Sequence, residues 1–406
     1  MERKTMAKEE KLDILDTKEA KIIKDYFIGH GWEERNCSHC DSRFLVKPRN
    51  ETKTCGREDC SNLDFLDRPK RKRFLTTIDF VSQFEKFFSS LDYERSEPVG
   101  IVNKTGSTLF AGTAGQIFDR AIFNEEEIDG KPKFVVQPVI RLQGRPFVGE
   151  KPGFSTSFVN VAIEQLNPAI EEHVKHLDDW LNFTSQTGLF MGEMTIRIVK
   201  DSPDWGGHNL DAITAKMYYG GLEIGVANWF VGIPQNSRES LRMSDISFGL
   251  ERMVWVANKS KSYYDAIGPL NYSIKNDQRL MDSYRTAVLM SLAGVEPDIR
   301  DRSSKLRALI KDISVPGQEI DRDLIIFYAN WWKKFALFEV PVESVFQVII
   351  KERNRNINLD IKKELGVSDS IPLDISPVEY INKIIEFGIP FEKIKEFLTK
   401  SSKDKS

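Results

Sequence analysis

Four cysteines, the only ones in a chain of 406 residues, fall within 24 positions: Cys37-Ser-His-Cys40, fourteen residues, then Cys55-Gly-Arg-Glu-Asp-Cys60. Two close thiol pairs across a short connection can set four sulfurs tetrahedrally around one Zn²⁺. The metal then supplies folding free energy to a segment too small for a core of its own. Cys37, Cys40, Cys55 and Cys60 are therefore the expected ligands of a structural zinc. Two disulfides are the rival reading, but disulfides suit secreted chains, and the start MERKTMAKEEKLDILD is charged throughout with no export signal. His39 could replace a Cys, though inside the first knuckle it reads as a solvent-facing neighbour. No apolar run reaches the roughly 18 to 20 residues that span a bilayer. The expectation is a cytoplasmic protein with no membrane partner.

With 40% hydrophobic and 29% charged residues the chain can bury a real core, and its length suggests two or three domains. Net charge is only −3, so nucleic acid would be met by local basic patches. One such run, RPKRKRF from Arg68 to Phe74, is the kind that usually forms a solvated face. Helical periodicity runs from Lys18 to Ile28. Apolar residues at 80, 81, 84, 87, 88 and 91 mark an amphipathic helix that leads through Pro98 into an expected strand at 99–102. FVVQPVIRLQ, Phe134 to Gln143, alternates with period two. That predicts a strand with Val136, Pro138, Ile140 and Leu142 on a dry face and Gln137, Val139, Arg141 and Gln143 on a polar one. TAKMYYGGLEIGVANWFVGI holds two β-rich runs joined by Gly220-Gly221, whose tolerance of positive φ predicts a tight antiparallel hairpin.

From Asn276 onward helical patterns dominate, as in DSYRTAVLMSLAG, SSKLRALIKDI, IIFYANWWKKFALF and PVEYINKIIEF. The organisation is thus α+β: a helix and zinc knuckle over 1–67, an antiparallel centre over 68–272 and an all-helical part over 273–406. His173 and His176 stand at i and i+3 among carboxylates, and are expected to be exposed rather than metal-bound. No Ser or Cys nucleophile with a His base stands out.

SFGLERMVW, residues 247 to 255, raises a sharper question. Gly249 opens a helix with Leu250, Met253, Val254 and Ala257 on one face, so Arg252 lies in its first turn. The exposed N–H groups there act as about half a positive charge, and a neighbouring cation costs roughly a few tenths of a kcal/mol unless an anion compensates. Glu251 next door and a ligand phosphate are the two candidates.

These features resemble the three motifs of class II aminoacyl-tRNA synthetases, in SEPV at Pro98, QPVIRLQ and DISFGLERMVW. The fuller pattern resembles alanyl-tRNA synthetases of the archaeal type: CSHC with TCGREDC, STLFAGTAGQIF (107–118), QPVIR (137–141), DWGGHNLDA (204–212), GLEIGVANWF (221–230), SDISFGLERMVW (244–255) and SYYDAIGP (262–269). SSKLRALIKDI and YINKIIEFGIPFEKIKEF resemble the helical acceptor-stem-recognition region of that family, and the similarity runs over nearly the whole chain. The resemblance implies an antiparallel sheet flanked by helices, with 68–272 catalytic and 273–406 contacting tRNA. It implies a ligase of protein biosynthesis that activates alanine, or a small polar amino acid, with ATP and Mg²⁺ and then acylates tRNA.

By the same resemblance Arg141 would grip the α-phosphate of ATP and the amino-acid carbonyl, and Arg252 the γ-phosphate, making phosphate the missing anion. Gln143 and Lys151 would also contact ATP. Asp245 would hold the α-ammonium. Trp205, Gly206, Gly207, Asn209, Glu223 and Asn228 would shape the amino-acid pocket. Arg307 and Lys311, on one helix face at i and i+4, would meet tRNA phosphates.

Three positions depart from the family. Gly153 and Phe154 stand where its second motif has an Arg-His pair that helps hold ATP, leaving Lys151 as a partial substitute. Ser247 replaces a Gly of the third motif. VANWFVG replaces an apolar run around the alanine methyl, so that Asn228 or Trp229 lines the pocket according to register. The chain also stops where the family's editing and C-terminal oligomerisation regions begin, with no His after His208 and no Cys after Cys60. A truncated or paralogous form without editing in cis is therefore expected, its oligomeric state open. The alternative is a catalytically weak paralogue that binds RNA or an amino acid. Delivery to a non-tRNA acceptor is a third possibility, opposed by the acceptor-stem-like helices.

Overall fold

β-Branched and aromatic runs recur through the centre of the chain, and they pair into one nine-stranded sheet. The computed structural model describes residues 17–403 apart from 71–72, 105–107, 124–126, 128, 206–207, 234–240, 268–276, 316–318 and 368–370. Contacts divide the chain into two units. One takes Met1–Val99, Asn103–Val139 and Phe158–Leu270; the other takes Gly100–Val102, Ile140–Ser157 and Asn271–Ser406.

The first unit holds the sheet. Its strands are β1 (Glu33–Asn36), β2 (Arg43–Val46), β3 (Glu94–Arg95), β4 (Lys133–Ile140), β5 (Ser157–Leu166) and β6 (Met194–Asp201), a separate pair β7 (Asp204–Trp205) and β8 (His208–Asn209), then β9 (Ala212–Tyr219), β10 (Leu222–Ile233) and β11 (Leu241–Gly249). The order across the large sheet is β1-β2-β6-β9-β10-β11-β5-β4-β3. From β1 through β5 each neighbouring pair is antiparallel, and β3 runs parallel to β4. The Gly220-Gly221 hairpin forms as expected, with φ of 49° and 89° and Tyr219 facing Leu222 in register.

Helices α1 (Lys18–Gly29), α2 (Thr77–Ser89), the short α3 (Asp119–Phe123), α4 (Ile170–Gln186) and α5 (Leu250–Asn258) complete this unit. Thr76 and Asp79 close a capping box that starts α2. Its Phe80, Phe84 and Phe88 pack on Trp180 and Phe183 of α4, and Trp180 stacks on Phe248 of β11 with ring centroids 3.9 Å apart. Helix α4 is thereby fixed to one face of the central strands.

Three expectations are corrected here. The strand expected at 99–102 is instead β3, which begins five residues earlier; Val99 is held by the Gln137 side chain, which accepts from its N–H at 2.7 Å and donates to its carbonyl at 3.1 Å. β4 has no polar face, since Phe134–Ile140 is buried throughout and Gln137 is occupied by that clamp. The strand also ends at Ile140, so Arg141 is not on it but caps a 3₁₀ turn, Leu142–Phe147. Finally, His173 and His176 are buried, because the three-residue spacing turns both toward the sheet, where each ring nitrogen Nδ1 meets Ser244 Oγ, at 2.7 Å and 3.3 Å.

The second unit contains α6 (Gln278–Leu292), α7 (Asp301–Asp312), α8 (Arg322–Trp332), α9 (Val342–Leu365), α10 (Pro377–Glu386) and α11 (Phe391–Lys403). From Met281 to Leu292 every residue of α6 is buried. Within it Arg285 lies over the rings of Trp331 and Trp332, 4.7 Å from each centroid, and Trp332 Nε1 donates to the Arg285 carbonyl. Ile357, Ile361, Tyr380, Ile384 and Ile394 form a smaller core among α9, α10 and α11. No helix among the described residues is long and apolar enough to cross a membrane.

Candidate active site and metal centre

The thiol cluster grows from the edge of the sheet. Cys37 follows β1, and Asp41 takes φ 59° and donates its N–H to the Cys37 carbonyl, so the chain turns back into β2 and brings Cys40 near Cys37. Gly56 takes φ 89°, and a Cβ there would stand 2.6 Å from Tyr218 Cβ. The second knuckle thus lies flat on β6 and β9, where Thr195 Oγ1 donates to the Cys55 carbonyl at 2.9 Å. The four Sγ atoms fall within 4.8 Å of one another and all four cysteines are free thiols; His39 is exposed and outside the group. Cys40 and Cys55 sulfurs are 3.9 Å apart. Tetrahedral zinc with bonds of about 2.3 Å needs sulfurs about 3.8 Å apart, and a disulfide about 2 Å.

The donor set fits zinc electrostatically as well. Burial, with the Cys40 and Cys37 charges behind it, pushes the Cys55 thiol up to about 11, and burial and its sulfur neighbours push Cys60 up too. Burial also opposes ionisation of Cys40, but hydrogen bonds from Ser42, Cys37 and Cys60 outweigh it and bring that thiol down to about 6. Crowded thiolates repel one another, and a divalent cation removes the repulsion.

On the sheet, register assembles a polar row. Thr214 of β9 faces Asn228 of β10, Asn228 faces Asp245 of β11, and Asp245 faces Glu164 of β5. Directly opposed residues share a face, so four polar side chains lie side by side. Thr214 Oγ1 donates to Asn228 Oδ1 at 2.8 Å, and Asn228 Nδ2 donates to Asp245 Oδ2 at 2.9 Å. The register places Asn228 beside Asp245, while Trp229 packs against His173 on the opposite face, ring centroids 5.5 Å apart. Ser247, 7% exposed, shares the Asp245 face.

Trp205 stands near Glu164, at one end of the row. Its Nε1 donates to Asp119 Oδ1 at 2.9 Å, and Asp119 Oδ2 accepts from Asn103 and Gln116. Gly115 lies in the 3₁₀ turn Ala114–Phe118 against the same ring; a Cβ there would sit 2.9 Å from Trp205 Cη2 and 3.5 Å from Glu164 Oε2. Asn209 belongs to β8, opposite Asp204, and Gly206 and Gly207 lie outside the described residues.

Arg252 is in the first turn of α5, as expected, and its Nη1 donates to the Glu223 carbonyl of β10 at 2.8 Å. Glu251 is fully buried and both its oxygens accept from the Val159 N–H at 3.1 Å. Glu223 thus contributes backbone to the arginine. Arg141 belongs to the second unit, where its N–H donates to the Thr156 carbonyl at 2.8 Å. The loop that follows is fastened to α6: Asp282, fully buried, accepts from Ser155 Oγ at 2.6 Å, Thr156 N at 2.9 Å and Thr156 Oγ1 at 2.5 Å. Burial raises the Asp282 carboxyl, and those hydrogen bonds work against the rise. Lys151 lies over the Phe147 and Phe154 rings, at 5.0 Å and 5.8 Å; Gln143 is exposed. On α7, Arg307 is ion-paired with Glu352 at 2.9 Å and Lys311 is exposed.

Glu164 is the site residue that sequence reasoning missed. Its signal was present: in SFVNVAIEQL it interrupts an apolar strand on the face shared with Asn160 and Ala162. Only the partner strand says that Asp245 is opposite.

No protein-family model matches the chain. It is similar to the alanine–tRNA ligase of Methanococcoides burtonii, 26% identical over 354 residues, covering 80% of this chain and 36% of that protein. The alanine–tRNA ligase of Methanoculleus marisnigri is 24% identical, covering 81% and 37%. That of Methanothrix thermoacetophila is 23% identical, covering 88% and 42%. The resemblance to archaeal alanyl-tRNA synthetases therefore holds along most of the chain, which spans 36% to 42% of the length of these relatives. Among solved structures, pyrrolysyl-tRNA synthetase from Desulfitobacterium hafniense shares 12% identity at a TM-score of 0.37, covering 49% of this chain and 75% of that one.

Proposed function

We propose that this chain activates a small amino acid with ATP to an aminoacyl adenylate and transfers it to tRNA. One observation carries the reading: Asp245, 5% exposed and held by Asn228, stands in a polar row on the sheet as an anionic acceptor for an α-ammonium. The similarity to alanine–tRNA ligases supports an aminoacylation-related role in general. In the proposed reaction the amino-acid carboxylate attacks the α-phosphorus in line and pyrophosphate leaves, so no covalent enzyme intermediate is required. Arg141 and Arg252 would neutralise phosphate charge, with Mg²⁺ arriving on ATP, and Asp245 would hold the ammonium so that the carboxylate faces phosphorus. The four cysteines would hold zinc as a fold-stabilising ion that takes no part in this chemistry.

A second reading, a paralogue that binds RNA or an amino acid with weak catalysis, is favoured by Gly153 and Phe154 in place of the Arg-His pair and by the Lys151 ammonium lying over aromatic rings. Amino-acid-dependent exchange of pyrophosphate into ATP, run over a panel of amino acids, tests both. Exchange with alanine, serine or glycine is expected and names the substrate. Silence with every amino acid removes adenylation and leaves the binding protein.

A further inference from the structure

The polar row contains one carboxyl more than an ammonium needs. Glu164 is wholly inaccessible, and no donor among the described residues bonds either of its oxygens. Its place is fixed by the backbone: β5 pairs with β11 so that Glu164 is the cross-strand partner of Asp245, and opposed side chains on one face lie about 5 Å apart at Cβ. The remaining groups around it are already engaged. Asp119 is taken up by Trp205, Asn103 and Gln116; Asn228 is bonded to Asp245 and Thr214; Gln137 on β4 is clamped on Val99. Two ionised carboxylates, side by side and dry, would repel strongly, so the pair keeps a proton. Burial first, and the Asp245 charge and hydrogen bond second, raise the Glu164 carboxyl well above the usual range.

We propose that Glu164 is a positioning residue for amino-acid capture: as the neutral acid it donates a hydrogen bond to Asp245, presenting the substrate ammonium with a single, oriented negative charge. The inference rests on the adenylation reading for its substrate, and on the buried, cross-strand carboxyl pair for its proton. A singly charged pair matches a monocationic ammonium, and the O–H bond fixes the Asp245 rotamer from the side opposite Asn228. Glu164 touches Asp245 and not the substrate, so its loss acts on amino-acid affinity and not on ATP.

Glu164→Gln keeps a neutral donor in nearly the same volume, and Glu164→Leu removes it. With the amino acid found by pyrophosphate exchange, Glu164→Gln is expected to keep KM for the amino acid within about threefold. Glu164→Leu is expected to raise it about tenfold, the size of one lost charge-assisted hydrogen bond, with KM for ATP unchanged. Infrared difference spectra of the unliganded protein at neutral pH should show a protonated-carboxyl band that disappears in Glu164→Gln. Equal losses in both variants would make an ionised Glu164 the ligand and overturn the proposal. A parallel rise in KM for ATP would reduce it to a packing residue, and absence of the band would remove the proton. If the parent protein catalyses no exchange, the adenylation reading fails, while the band still decides whether Glu164 carries the proton. Should Glu164→Leu fail to fold, Glu164→Gln and the band suffice.

Discussion

Ser244 receives two buried imidazoles, and that arrangement sets how the protein responds to acid. Burial, aided by the His176 charge, holds His173 down to about 3; burial, aided by Lys175, does the same for His176. For such bases the folded value lies below the unfolded one near 6.5. Their contribution to stability is therefore complete above the unfolded value and is lost as pH falls toward the folded one, since the unfolded chain takes up protons that the folded one excludes. The urea midpoint should be level from pH 8 to 7 and drop steeply between pH 6 and 4. His173→Asn should flatten that drop, and an unchanged slope would disprove the linkage. The expected exposure of these residues failed for a plain reason: charged neighbours along a helix say nothing about which face is turned to a sheet.

At the scale of elements, two attachments hold chemistry-bearing loops. The thiol knuckle is an outward extension of the sheet, since β2 pairs with β6 and Gly56 admits Tyr218 and Thr195 against the backbone. The purified protein should contain about one zinc per chain, and chelation should release β1 and β2 to hydrogen exchange while β9 to β11 stay protected; equal exposure throughout would show that the metal holds the whole sheet. The second attachment is Asp282, which gathers a backbone N–H and two hydroxyls of the loop behind Arg141. Asp282→Ala leaves those donors buried without their acceptor and should lower stability by about 3 kcal/mol in chemical denaturation. A loss below about 0.5 kcal/mol, the range of an ordinary surface change, would show that the loop is held by other means. Helices α1, α2, α5 to α8 and α10 were legible from periodicity, and the Gly220-Gly221 hairpin from its glycines. The strand at 99–102 was not, because a short apolar run beside a proline reads alike whether it pairs or is clamped by one glutamine.

For the molecule as a whole, the similarity to alanine–tRNA ligases leads to an RNA partner as a proposal, and α7 offers the test. Arg307 is engaged by Glu352, which Arg355 also contacts, so its substitution would disturb packing as well as charge. Lys311 is exposed and gives the cleaner measurement. Lys311→Glu should weaken tRNA binding and reduce the slope of log K against log salt by about one, without a change in melting temperature. An unaltered slope would take α7 out of the RNA-contact account.

Local chemistry was enough to establish the thiol cluster, the hairpin and the helical C-terminal third, because each depends on residue spacing within a few tens of positions. What only the tertiary structure decided was pairing across strands: Asp245 beside Glu164 and Asn228, Trp229 turned to the far side, and the two histidines beneath the sheet. The physical reason is the period of a strand. A slip of one residue exchanges the two faces, and no pattern within a single strand records the register of its neighbour.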